Sequence, residues 1–173
     1  MRASECDGDL GAFMQRYHYQ EELTARLDSI GDYPFDQALV NEIVLWKVNR
    51  YAQPGVDLLG RLNTLSNLYS GEHWNAETVL RELLDQHGID LPMASTLLRF
   101  RNPAVFQIID RHTYRALKGV KYPLYPTSNV EQKIQVYFHY LDALLALSAA
   151  RGVRFRDLDR ILYIFDKDNN GLL

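Results

Sequence analysis

Two stretches of the chain have residue types and spacing that could do chemistry. They are Gly88-Ile89-Asp90-Leu91-Pro92-Met93-Ala94-Ser95 and Ile108-Ile109-Asp110-Arg111-His112. A helical pattern ends at Gly88 and another opens at Leu91-Pro92, so the chain turns within very few residues. Such a turn needs a residue that takes positive φ without a Cβ penalty, which Gly88 supplies. The helix that follows presents free N-terminal amides, a ready site for a phosphate. Leu83 and Leu84 would pack the helix before the turn, Ile89 would plug the core, and Ala94 would let the helices approach closely. Asp110 stands 110 − 88 = 22 positions past the glycine, behind an apolar run and ahead of two basic residues. It is the one acid in the window 99–121, against Arg99, Arg101, Arg111, Arg115, Lys118 and Lys121, a local balance of 6 − 1 = +5. That excess reads either as a surface that faces an anion or as an ordinary solvated face.

Each of these residues also has a plainer reading. An aspartate at the start of a helix is most often an N-cap. Arg111 and His112 could contact a substrate or support a group that does, and a lone histidine is commonly structural. Arg99 and Arg101 could form a solvated or interaction face. Trp46 fits a core position better than a stacking platform.

The elements that must position these groups are helical almost throughout. Apolar periodicity predicts helices over 19–30, 36–51, 56–69, 76–87, 92–101, 110–118, 128–150 and 155–165. Asn75 is the expected N-cap of the fourth, and Ser128 with Glu131 a capping box for the long seventh. Residues 104–109 form a short apolar run, either a buried turn or an extended strand. The expected fold class is all-α, a globule of seven or eight helices, with residues 1–10 a flexible tail and 11–173 a single domain.

Bulk properties narrow the function classes. The 173 residues are 47% apolar and 24% charged, with a net charge of −3, so strong non-specific binding to DNA is not expected from net charge. Cys6 is the single cysteine, which excludes an intrachain disulfide and a Cys-rich zinc site. No apolar run approaches a membrane span, the N-terminus lacks the apolar core of a signal peptide, and a cytoplasmic location is the default. Asp166-Lys167-Asp168-Asn169-Asn170-Gly171 matches the first half of a calcium loop, but the glutamate of position twelve has no counterpart. No cofactor or metal is expected.

The segment from Leu83 to Tyr114 resembles the hairpin region of the helix-hairpin-helix DNA glycosylase superfamily, most closely its small bacterial 8-oxoguanine-glycosylase-like members. A looser likeness extends over 36–165. Gly88-Ile89 match the start of the family's Gly-hydrophobic-Gly hairpin, and Asp110 matches its invariant aspartate at the mouth of a base pocket. The resemblance implies a helical glycosylase-like domain with the hairpin at 83–101. It implies that Asp110 stabilises the oxocarbenium ion formed as the glycosidic bond breaks, or positions an attacking water. It also implies that the helix ending Trp46-Lys47-Val48-Asn49-Arg50-Tyr51 supplies a polar wedge from Asn49 or Arg50 that fills the gap left by a flipped base. Residues around Tyr163 and Phe165 are candidates for the base pocket.

Two departures modify these expectations. Asp90 puts a negative charge where the family has its second glycine, and Pro92 deletes an amide that would grip phosphate. Pro92 also stands where lyase-type members carry their nucleophilic lysine, which excludes Schiff-base chemistry at that position. The expectation is a monofunctional N-glycosylase acting on an oxidised or otherwise altered purine-type base, in nucleic acid or free. Asp110 would be its catalytic carboxylate, and Gly88, Ile89, Asp90, Arg99, Arg101, Arg111, His112, Arg115, Asn49 and Arg50 its binding residues. Small proteins of this kind occur among prokaryotic antiviral genes, so the resemblance also suggests a defence setting. The alternatives are an inactive module of the same fold that binds nucleic acid, nucleobase or protein, and a structural partner in a complex.

Overall fold

The computed structural model describes residues 14, 18–31, 35–48 and 52–171. Among them the regular structure is entirely helical: eight α-helices, several short 3-10 turns and no strand. The chain divides into two compact units, Met1–Tyr51 and Ala52–Leu173. No described helix is long and apolar enough to cross a membrane.

The first unit holds α1 (Glu21–Asp28) and α2 (Gln37–Lys47). Asp36 caps α2 by accepting a hydrogen bond from the Leu39 amide at 2.8 Å. Trp46 ties the two helices together. Its Nε1 donates to Thr24 Oγ1 at 2.9 Å, Tyr19 Oη donates to its carbonyl at 2.7 Å, and the Tyr19 and Trp46 rings meet edge to face. Asn49, Arg50 and the tail 1–10 lie outside the described residues.

The second unit holds α3 (Val56–Thr64), α4 (Glu77–Leu84), α5 (Leu91–Arg101), α6 (Arg111–Lys118), α7 (Val130–Arg151) and α8 (Leu158–Asn169). Its core is built on α7, whose Ile134, Tyr137, Phe138, Tyr140, Leu141 and Leu144 are fully buried. Leu80 and Leu83 of α4, Leu91 and Leu98 of α5, and the connecting residues Ile89, Phe106 and Ile109 pack against it. Each such side chain contributes about 1.5–3 kcal/mol by leaving water.

Three local details differ from the sequence expectation. Asn75 does not cap α4: it sits inside a 3-10 turn, His73–Ala76, that leads into the helix, and the N-cap Ala76 makes no side-chain cap bond. Ser128 is not the cap of α7 either. Asn129 takes that place, accepting from the Gln132 amide at 2.8 Å, while Ser128 Oγ accepts from the Tyr125 amide and Glu131 pairs with Arg81. The last predicted helix begins as a 3-10 turn, Phe155–Asp157, and runs on to Asn169.

Residues 104–109 are neither strand nor helix. Val105, Phe106 and Ile109 are buried, and the backbone polar groups of the run find side chains in place of a partner strand. Tyr137 Oη donates to the Gln107 carbonyl at 3.0 Å, Tyr140 Oη to the Ile108 carbonyl at 2.9 Å, and the Ile109 amide donates to Ser95 Oγ at 3.2 Å. Buried amides and carbonyls need such partners, and these bonds fix the irregular segment in place. It delivers the chain to Asp110.

Candidate functional site

Gly88 makes the α4–α5 turn at φ +78°, a left-handed conformation that favours glycine. Ile89 is buried behind it and Ala94 lies in full contact with its neighbours. Asp90 is the N-cap of α5, its Oδ1 accepting from the Leu91 amide at 2.7 Å. The hairpin is tied to the second stretch through one side chain. Ser95 Oγ donates to the Pro92 carbonyl at 2.9 Å and accepts from the amide of Ile109, the residue before Asp110.

Asp110 is the N-cap of α6 and forms a reciprocal capping box with Thr113. Its Oδ1 accepts from the Thr113 amide at 2.8 Å, and its own amide donates to Thr113 Oγ1 at 2.9 Å. The plain reading of Asp110 as a cap therefore holds. It does not use up the carboxylate, because Oδ2 makes no hydrogen bond among the described residues. Asp110 is half-buried and lines two cavities.

The larger cavity, about 450 Å³, has mixed walls, with charged groups set among apolar ones. Asp90 and Pro92 of the hairpin, Asp110, Arg111 and His112 at the start of α6, Tyr122, Leu124, Tyr125 and Pro126 of the α6–α7 loop and Lys133 of α7 line it. Lys133 is buried, its Nζ 2.8 Å from Asp90 Oδ1 and donating to the Pro126 carbonyl at 3.0 Å. Burial, with the carboxylates of Asp90 and Asp110 nearby, pushes the Tyr122 phenol well above its ordinary range. Tyr122 therefore stays a neutral hydroxyl that can donate or accept. The smaller cavity, about 320 Å³, has apolar walls from Phe100, Ile108, Tyr163 and Ile164, with Arg99, Asp159 and Arg160 beside them. The two cavities meet at Asp110, and His112 of the first touches Tyr163 of the second edge to face, ring centroids 5.1 Å apart.

Half of the six basic side chains in the window 99–121 are held by partners elsewhere in the fold. Arg99 is buried, pairing through Nε with Asp159 Oδ2 at 3.2 Å and donating to the Arg156 carbonyl at 3.1 Å. Arg101 donates twice to the Asn63 carbonyl at the C-terminal turn of α3. Arg115 grips Asp166 of α8 with two hydrogen bonds, 2.8 and 2.7 Å. Arg101, Arg111, Lys118 and Lys121 are exposed, and Arg111 lines the larger cavity. Of the residues singled out in the sequence, Asp90, Asp110, Arg111 and His112 line one cavity, whereas Gly88 makes the turn and Ile89 is buried in the core. Arg99 and Arg115 are tied to Asp159 and Asp166, partners far along the chain.

Four residues that shape the site carried no local signal: Tyr122, Lys133, Asp159 and Asp166. Asp166, the opening residue of the stretch that resembles a calcium loop, is fully buried between α6 and α8. It accepts from Arg115 and from Asn170 at 2.8 Å and lies 2.7 Å from His112 Nδ1. The Arg115 guanidinium above all, with Asn170 and His112, outweighs burial and holds its carboxyl well below the usual range. Among the described residues no three His, Cys, Asp or Glu side chains converge as metal ligands. Comparison of the chain with protein-family models, curated proteins and solved structures finds no match.

Proposed function

We propose that the protein is a helix-hairpin-helix N-glycosylase of the monofunctional kind, releasing an altered purine-type base by hydrolysis. The observation that carries this reading is the place of Asp110, one carboxylate lining both a cavity richer in polar groups and a nearly apolar one. A nucleoside presents that same division. The flat base suits the walls of Phe100, Tyr163 and Ile164, and the sugar suits the polar side. A carboxylate at the junction would face the sugar carbon where positive charge develops, and its Oδ1 is already oriented by the Thr113 amide of α6, so little reorganisation is required. Arg111 is the exposed cation placed to meet a flanking phosphate.

The test is a panel of duplexes and single strands, each carrying one altered purine, scored for abasic sites by alkaline cleavage. Wild-type protein should generate them with at least one member. Asp110→Asn should lose the activity by about 10²-fold or more while the fold survives, since asparagine caps a helix about as well as aspartate. An Asp110→Asn protein as active as wild type would sink the proposal.

A second reading has an observation of its own. The Leu91 amide at the start of α5 is taken by the Asp90 carboxylate, which also holds Lys133, and Pro92 brings no N–H. A module of this fold that binds nucleic acid, nucleobase or protein without chemistry would tolerate that arrangement. It predicts salt-dependent binding to the panel with no abasic sites.

A further inference from the structure

His112 stands two residues beyond Asp110 and faces the same larger cavity. Its ring is not free to turn. Asp166 of α8 holds Nδ1 at 2.7 Å, and Tyr163, one turn earlier on α8, abuts the ring edge to face. Asp166 is itself fixed by the two bonds from Arg115, by Asn170 and by complete burial. An ionised carboxylate can only accept, so the Nδ1 of His112 must carry the proton in this contact. The neutral imidazole therefore exists as the Nδ1–H tautomer, with a bare lone pair on Nε2. Nε2 has no partner among the described residues.

We infer that His112, oriented by Asp166, is the proton acceptor for the water that attacks the sugar, while Asp110 supports the positive charge on the sugar. This rests on the N-glycosylase reading and divides its chemistry between two residues. The water oxygen forms a bond to C1′ as the bond from C1′ to the base nitrogen breaks. The electron pair of that bond leaves with the base, which takes a proton from solvent. The water proton passes to Nε2, and the imidazolium returns it to solvent before the next turnover. A carboxylate behind a histidine orients the ring and stabilises the imidazolium that forms. Asp166 and Arg115 are positioning residues, since neither touches the reacting atoms.

The other charged or titratable groups around the imidazole are Arg111 and Asp110 on its own helix, Lys167 over the Tyr163 ring on α8, and Asp90, Tyr122 and Lys133 across the cavity. Asp90 and Lys133 are paired with each other, Asp166 with Arg115, and Tyr122 is neutral, which leaves Asp110 as the carboxylate on this cavity wall without an ion-pair partner among the described residues.

Two measurements test the inference. The ¹⁵N shifts of His112 in the intact protein should report the Nδ1–H tautomer when neutral, and an Nε2–H tautomer overturns it. Base release measured against pH should show an ascending limb in wild type. His112→Gln should lose that limb and fall about 10²- to 10⁴-fold in rate, with substrate affinity and Tm held, since glutamine cannot take the proton. A merely structural or binding histidine would move Tm or Kd instead. A working wild type with a His112→Gln variant within about threefold of it and the same limb overturns the inference alone. A wild type that releases no base from any substrate overturns the proposed function and the inference together.

Discussion

Arg99 separates a cation that binds a ligand from one that holds the fold. Its side chain is 7% exposed and that of Asp159 3%, with 3.2 Å between Nε and Oδ2. Replacing Arg99 by Met keeps most of the volume and removes the charge. The Asp159 carboxylate then keeps the Arg160 amide, which donates to Oδ1 at 2.7 Å, but loses its counter-ion in a nearly dry site. Breaking a buried pair from one side costs about 3–5 kcal/mol, because the remaining charge is uncompensated. With a urea slope of about 2 kcal/mol per molar, the midpoint should fall by about 2 M at unchanged slope. The double variant Arg99→Met, Asp159→Leu removes both charges and should recover to within about 1 kcal/mol of wild type or exceed it. The assay is urea unfolding followed by tryptophan fluorescence, alongside binding to an oligonucleotide at low salt. Arg99→Met with an unshifted midpoint and lost oligonucleotide binding would refute the reasoning and make Arg99 a ligand group.

Gly88→Ala should cost about 1–2 kcal/mol, since φ +78° is strained for any residue with a Cβ, and calorimetry would read it as a lowered Tm. His73 is buried against Trp74 and Phe138, and desolvation lowers its pKa below the ordinary 6.5 despite Asp142 at 3.0 Å. Between the lowered value and 6.5 the unfolded chain binds more protons than the folded one. Stability should therefore be flat above about pH 6.5 and decline below it, a slope that His73→Gln removes; urea midpoints from pH 7.5 to 5 measure it. Asp166 acts in the same direction but lower, below the ordinary carboxylate range of about 4, so the two contributions separate on the pH axis.

The helices were legible where local rules suffice. Period-3.6 apolar spacing placed α5, α6 and α7 to within a turn but overran α3, which stops at Thr64 and gives way to a 3-10 turn, and Gly119 and Gly152 close α6 and α7 in left-handed conformations where the sequence puts them. The caps of α4 and α7 were missed because a competing local bond was available: Asn75 was taken into a 3-10 turn and Ser128 into a bond with Tyr125. The run 104–109 could not be assigned from its own residues, since its conformation is held by Ser95, Tyr137 and Tyr140 from other elements.

By itself, the sequence determined an all-helical chain, a glycine turn between α4 and α5, and an aspartate at the start of α6. These depend on backbone conformation and on bonds across three or four residues. Tertiary structure decided which charges remain available. Arg99 meets Asp159 sixty positions away and Arg115 meets Asp166 fifty-one away, so in a basic stretch that reads as +5 two arginines are paired within the fold, while Arg111 stays exposed on the wall of the larger cavity. The same packing of α6 on α8 that neutralises Arg115 also orients His112 beside Asp110. Ion pairs of that span follow from how helices are stacked, and no spacing along the chain encodes them.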